Sequence, residues 1–169
     1  QSQSRMRNAQ TSSEFHSFYQ FMSSATSNRI DPSGLESATF FEIRCAIIDG
    51  AGALSGWNED VWATRARSST EGGFPRREDR VSGPGDAYRH CLWLCMMTAD
   101  DKIGEEKARI LAECHEKSGD RKGQPENVRR MDEHNNEIGI EIGNQITSPY
   151  IEQSCELLCE RAQRDGKLL

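Results

Sequence analysis

No run of apolar residues in this chain approaches the ~18 that a membrane-spanning helix requires, so no segment reads as transmembrane. Aromatic residues are scarce, at 7%, and apolar residues make up only 35% of the 169 positions. That supply is enough for one ordinary domain with a core and a small appendage. Positive charge is also short: 21 Lys and Arg stand against 27 Asp and Glu, for a net charge of −6. The deficit is uneven, with 9 basic and 10 acidic residues in positions 1–80 (net −1) and 12 against 17 in positions 81–169 (net −5). Nonspecific nucleic-acid binding depends on a positive surface, so no strong nucleic-acid signal is present. A metal-dependent nuclease stays open, because its cation can bridge acid to phosphate. The opening "QSQSRMRNAQ" has neither initiator Met nor apolar signal region, and we read the chain as a piece of something longer. No segment alternates with a period of two over strand length, and there are no internal repeats.

Cysteine is what the chain does have. Four of six cysteines form two Cys-x-x-x-Cys pairs, "CLWLC" at 91–95 and "CELLC" at 155–159. Positions i and i+4 share a helix face. Two antiparallel helices could therefore be stapled twice, Cys91 to Cys159 and Cys95 to Cys155, leaving Cys45 to pair with Cys114. This is one of fifteen connectivities. Buried free thiols and a four-thiolate zinc site are the alternatives, although the spacing is not that of zinc knuckles. We favour disulfides, and with them an oxidising destination.

Helical periodicity dominates from Glu36 onward. Phe40, Phe41, Ile43, Ile47 and Ile48 form an apolar stripe up to a Gly50-Ala51-Gly52 break. A short helix over 57–67 places Trp57 and Val61 on one side. Residues 68–85 read as loop, with Arg76, Arg77 and Arg80 solvated or available to an anionic substrate. The stretch 86–99 reads as a buried helix capped by Asp86. The stretch 104–119 is amphipathic, with Ile110, Leu111 and Cys114 inward and Gly119 as its stop. A helix over 125–146 begins with Pro125 in its first turn. The last, 148–166, has Ser148 as cap and Gly166 as stop. Trp62 and Trp93 are expected to fill core, and Gly139-x-x-x-Gly143 to permit close helix packing. The expected fold is all-α: a compact, disulfide-stapled bundle of about five to six helices with an irregular N-terminal extension.

Two stretches carry resemblances. "FYQFMSSATSNRIDPSGLE", in a match covering about residues 15–35, resembles the end of an Rhs/YD-repeat shell. There an Asp-Pro-x-Gly-Leu element joins a conserved encapsulating shell to a variable C-terminal toxin. The resemblance implies that residues 1–35 are the tail of such a shell and its junction. Residues 36–169 would then be a helical toxin or effector domain, secreted, delivered to a target cell, carried by the shell and matched by a cognate immunity protein. Further on, "GDAYRHCLW", "AECHE" and "MDEHNNEIG" occur in order across residues 84–143. They resemble small C-terminal domains of polymorphic bacterial toxins that read DAxRHxxW, HE and MDxHNN, a group with no assigned reaction.

The residues themselves suggest one site. His90, His115 and His134 each lie near acids or amides on an expected helix, and Asp86 and His90 are i and i+4. One chemistry uses a divalent cation (zinc, manganese or magnesium) held by ligands drawn from His90, His115, Asp132 and His134, with Glu116 as general base for a bound water. The other is metal-free, with His115 or His134 as base and Arg89 or the pair Asn135 and Asn136 stabilising an oxyanion. Plainer readings stand beside these. His115 could simply favour a helix dipole, Asp86 could be only a cap, and the two Asn could clamp a neighbouring helix. Within "MDEHNN" we expect Met131 and Ile138 to anchor the helix in the core. His134 or Asn135 is then expected to face the reacting centre, and Asp132 or Asn136 to orient a neighbour. The leading expectation is a hydrolase acting on an envelope substrate, phospholipid or cell wall. A metal-dependent nuclease toxin and a non-catalytic, disulfide-stabilised helical binding module are the alternatives.

Overall fold

The computed structural model describes residues 40–51 and 53–169, without the side chains of Phe40, Phe41, Ile43 and residues 53–60. The expected shell tail and junction, the side chains of the first three residues of the apolar stripe, and the Trp57 side chain all lie outside what is described. Among the described residues six helices follow one another: α1 (Phe40–Ile48), α2 (Ala53–Gly73), α3 (Pro84–Ala99), α4 (Gly104–Arg121), α5 (Glu126–Gly143) and α6 (Ile151–Arg164). A 3-10 turn, Arg77–Arg80, lies between α2 and α3. No strand occurs among the described residues.

The centre of the bundle is α3. Of its residues from Gly85 to Thr98, only Arg89 is not buried. A helix apolar on nearly every side needs neighbours on every side, and α2, α4, α5 and α6 supply them. The closest approach is to α5. A Cβ on Gly143 would sit 2.7 Å from the Cys95 carbonyl oxygen and 2.7 Å from Thr98 Cβ, and one on Gly139 would collide with the Cys91 carbonyl. The Gly-x-x-x-Gly spacing thus lets α5 lie directly on the α3 backbone.

Three disulfides close the bundle. Cys91–Cys159 and Cys95–Cys155 staple α3 to α6 twice, and Cys45–Cys114 ties α1 to α4. No free cysteine is left. No helix among the described residues is long and apolar enough to cross a membrane.

Several boundaries differ from expectation, each for a local reason. Residues 68–73 continue α2 rather than forming a loop. Thr70 Oγ1 donates to the Ala66 carbonyl at 2.7 Å and Ser68 Oγ to that of Thr64 at 3.1 Å, so polar side chains bond back to their own helix. Val61, Ile47 and Ile48 are exposed; the buried side of α2 carries Ala66 and Thr70. Asp86 is not the cap of α3. Gly83 holds that position, Pro84 occupies the first turn, and Asp86 Oδ2 reaches back to accept the Ser82 N–H at 2.8 Å. Gly119 lies inside α4, whose stop is Gly123 at φ +85°. Pro125 caps α5 from outside. Ser148 precedes α6 by a turn, its Oγ accepting the Tyr150 N–H at 3.1 Å, while Gly166, at φ +69°, follows the helix as expected. Of the two tryptophans, Trp93 is buried, whereas Trp62 is half-buried with its Nε1 donating to Asp100 at 2.8 Å.

Candidate functional site

Helix α5 buries its polar residues and leaves its expected anchors half-covered. Met131 and Ile138 are half-buried, while Asp132, Asn135 and Asn136 are buried. The phase of the helix is set by Gly139 and Gly143 against α3. At 3.6 residues per turn, positions 132, 136, 139 and 143 fall within about 60° of one another, and 134 lies nearly opposite. The close approach of two backbones therefore carries Asp132 and Asn136 onto α3, where Asp86, Arg89 and His90 wait.

The centre of the cluster is the His90 imidazole, 1% exposed. Its Nδ1 lies 3.0 Å from Asn136 Oδ1, and Asn136 Nδ2 donates in turn to Glu116 Oε1 at 3.4 Å. With the Asn oxygen as acceptor, the imidazole carries its proton on Nδ1 and presents Nε2 as an acceptor. Three groups face that lone pair. Arg89 donates to it at 2.8 Å, Asp132 Oδ1 lies at 3.5 Å and Asp86 Oδ1 at 3.9 Å. The same Arg89 nitrogen donates to Asp86 Oδ1 at 2.5 Å.

Both aspartates are held by their far oxygens. Asp86 Oδ2 accepts the Ser82 N–H, and Asp132 Oδ2 accepts Gln124 Nε2 at 2.7 Å. Asp132 Oδ1 is buried without a hydrogen-bond partner, as is Glu116 Oε2. A buried, unmet carboxylate oxygen costs about 1–3 kcal/mol, more if charged.

Proton affinities separate accordingly. Burial, helped by the Arg89 guanidinium, holds His90 down to about 3. Burial, with Asp86 and Glu116 adding repulsion, pushes Asp132 up to about 7. Burial likewise raises Glu116. For Asp86, burial acts upward but is outweighed by Arg89 first and His90 second, leaving the carboxyl below its ordinary range. Near neutrality the cluster holds a neutral imidazole, an ionised Asp86, and an Asp132 close to its midpoint.

Solvent reaches the edge of this cluster through a cleft of about 230 Å³ between α4 and α5, lined in part by Glu116 and Asn136 and rimmed by Glu113, Glu133, Glu137 and Arg109. On another side of His90 stands His115, its ring centre 5.9 Å away and 5.3 Å from that of Trp93. His115 Nδ1 is 2.8 Å from Glu42 Oε1. The site thus joins residues of α3, α4 and α5, with α1 behind His115.

The structure brings together Asp86, Arg89, His90, His115, Glu116, Asp132 and Asn136. It does not bring in His134 or Asn135. His134 Nε2 donates to the Lys167 carbonyl at 2.8 Å. Asn135 exchanges two hydrogen bonds with the Leu169 backbone, accepting its N–H at 3.0 Å and donating to its carbonyl at 3.3 Å. Both clamp the C-terminal segment and lie apart from the cluster around His90, which Asp132 and Asn136 enter. The ligand set changes with it. Asp86, His90 and Asp132 offer atoms within 4.8 Å of one another, without His134; His115 is turned to Glu42. Gln124 and Glu42 join the site unannounced, Gln124 from the loop between the second and third motifs and Glu42 from far upstream of all three. Arg76 and Arg80 pair with Asp79 and Glu71 at 2.8 and 3.3 Å, Arg76 on the surface and Arg80 half-buried.

A model of the family described as a domain of unknown function, DUF6973, matches residues 60–166. The chain belongs to that family. The match takes in Asp86 to Asn136 and both α3–α6 disulfides, and stops short of Glu42 and Cys45. No solved structure matches the chain.

Proposed function

We propose that this member of the DUF6973 family is a hydrolase whose reacting centre is the Asp86–His90–Asp132 cluster. The observation that carries the reading is the pair of unmet carboxylate oxygens, Asp132 Oδ1 and Glu116 Oε2, buried around a neutral imidazole. A helical bundle gains nothing in stability from leaving such groups unpaired. Sites that act on a ligand do leave them so, because the ligand supplies the missing partner.

The roles follow from geometry. Glu116, at the floor of the cleft and with a raised proton affinity, accepts a proton from the attacking water. Arg89, already bonded to two members of the cluster, holds negative charge that develops on the substrate. Asn136 fixes the His90 tautomer and links it to Glu116.

For the setting we propose the C-terminal effector of an Rhs-type polymorphic toxin, secreted, carried by the repeat shell and countered by a cognate immunity protein. The "DPSGL" and MDxHNN resemblances support this. Three disulfides suit an oxidising place of action. With the net negative charge, they favour an envelope substrate, phospholipid or cell-wall material, over nucleic acid. The test is to incubate oxidised protein separately with phospholipid vesicles, isolated cell wall, DNA and RNA, and identify products by mass spectrometry. Cleavage of an envelope polymer or lipid, lost in Asp132→Asn, is the expected result. Cleavage of nucleic acid alone would establish the nuclease, and no cleavage with retained partner binding would establish a binding module.

A further inference from the structure

We propose that Asp86 Oδ1, His90 Nε2 and Asp132 Oδ1 form the protein side of a divalent-cation site of the zinc or manganese kind, and that Arg89 occupies it when the cation is absent. The inference rests on the reading of this cluster as the reacting centre, and adds how its water is activated.

The geometry has the organisation of a metal centre. Each of the three residues uses one polar atom for an outer hydrogen bond and turns the other inward. Asp86 Oδ2 is held by Ser82 N–H, Asp132 Oδ2 by Gln124, and His90 Nδ1 by Asn136. A ligating imidazole typically donates its other N–H to an oxygen in this way, which fixes the ring and directs the remaining lone pair at the ion. The inward atoms lie within 4.8 Å of one another, with His90 Nε2 at 3.5 Å from Asp132 Oδ1 and 3.9 Å from Asp86 Oδ1. Ligands about 2.1 Å from one tetrahedral ion lie about 3.4 Å apart. The cluster therefore needs only a small contraction.

The independent pointer to a ligand is Asp132 Oδ1. It belongs to a residue 3% exposed, faces the His90 lone pair, and has no donor. With Asp132 ionised, two acceptors face each other across 3.5 Å without a positive centre between them. Arg89 meets that need only in part, bonding Asp86 and His90 while leaving Asp132 Oδ1 unmet. Its side chain is 17% exposed, so it can swing outward and leave its place to a smaller, doubly charged ion. One imidazole with two carboxylates suits zinc or manganese better than magnesium, which prefers oxygen ligands alone. Three protein ligands leave a position for water, the arrangement of catalytic rather than structural sites. A bound water there would lose its proton more readily, and the imidazole ligand is joined to Glu116 through Asn136.

The cysteines offer no competing site. The Cys45–Asp49–Cys114 group also brings three ligand atoms together, but its two sulfurs are joined to each other.

The experiment uses the oxidised chain after chelation and dialysis, titrated with zinc, manganese and magnesium by calorimetry and with cobalt by visible absorption. The expected result is one zinc or manganese per chain, abolished in Asp86→Asn and Asp132→Asn, weakened about 10–100-fold in Asn136→Ala, and unchanged in Asn135→Ala. Arg89→Gln supplies the test that misfolding cannot mimic: removing the competing guanidinium should tighten binding at least tenfold. Absence of stoichiometric binding, or binding indifferent to Asp132→Asn, overturns the proposal, as does weaker binding in Arg89→Gln. Tight cation binding without hydrolysis of any substrate would leave this site standing and remove the hydrolase reading instead.

Discussion

Consider the unfolding of wild type and Asp132→Asn, measured with guanidinium between pH 4.5 and 6.5, disulfides intact and metal chelated. Asp132 holds its proton up to about 7 in the folded chain against an ordinary 3.8. Its contribution to stability is complete below about pH 4 and is lost as pH rises through about 7. Over three units that amounts to about 4 kcal/mol. His90, held down to about 3 against an ordinary 6.5, has the opposite sign. Its contribution is present above pH 6.5 and is lost as pH falls through about 3. Between pH 4.5 and 6.5 the two slopes oppose, because folding in effect moves one proton from His90 to Asp132. The pair adds almost no pH dependence in wild type.

Removing either member exposes the other. Asp132→Asn should gain stability relative to wild type by roughly 1.4 kcal/mol per pH unit as pH rises. His90→Gln should lose about as much over the same range. Each shift should survive the other's removal, since burial and Arg89 lead for His90, and burial, Asp86 and Glu116 for Asp132. Other titrating groups cancel in the difference between variant and wild type. Parallel curves for wild type and Asp132→Asn would refute the argument, and an altered denaturant slope would show that the variant changed more than a charge.

Peptide mapping without reductant should recover Cys91 joined to Cys159 and Cys95 to Cys155, and replacing both Cys91 and Cys159 with Ser should cost about 2–3 kcal/mol in the chain-entropy account, because the nested Cys95–Cys155 bridge remains and the outer bridge closes only about ten further residues. Gly143→Ala should destabilise by about 1–3 kcal/mol, read from denaturant midpoints, because its Cβ would meet the Cys95 carbonyl at 2.7 Å. Asn135→Ala should lower stability by about 1–3 kcal/mol through the loss of its two hydrogen bonds to the Leu169 backbone, each worth about 0.5–1.5 kcal/mol, with activity per folded molecule unchanged.

Much of this was legible in the residues, and the exceptions share a cause. The two Cys-x-x-x-Cys pairs announced antiparallel stapled helices because i and i+4 share a face whatever the surroundings. Asp86, His90, Glu116 and Asp132 were recognisable because acids and imidazoles on helices with apolar faces need a reason to be there. The orientation of "MDEHNN" was not recognisable. Apolar Met131 and Ile138 pointed one way, but the rotation of α5 is fixed by two glycines meeting a backbone, a packing term outside hydrophobic periodicity. The partners of Asn135 and His134 were hidden for the same reason, since only the folded C-terminal segment shows what they bind. Gln124 follows the left-handed Gly123 in a loop and has no pattern to reveal it; the neighbouring Gly119 leaves no room for a Cβ beside its side chain.

Growth inhibition by the exported chain tests the central claim most directly. Wild type, Asp132→Asn and Asn135→Ala would be directed to the periplasm of a bacterial host, with folded, oxidised protein quantified in each strain. A reacting centre at Asp132 predicts that wild type and Asn135→Ala inhibit growth equally per folded molecule, while Asp132→Asn folds and is harmless. Inhibition by Asp132→Asn at the wild-type level would contradict it, and would leave the buried cluster a structural clamp.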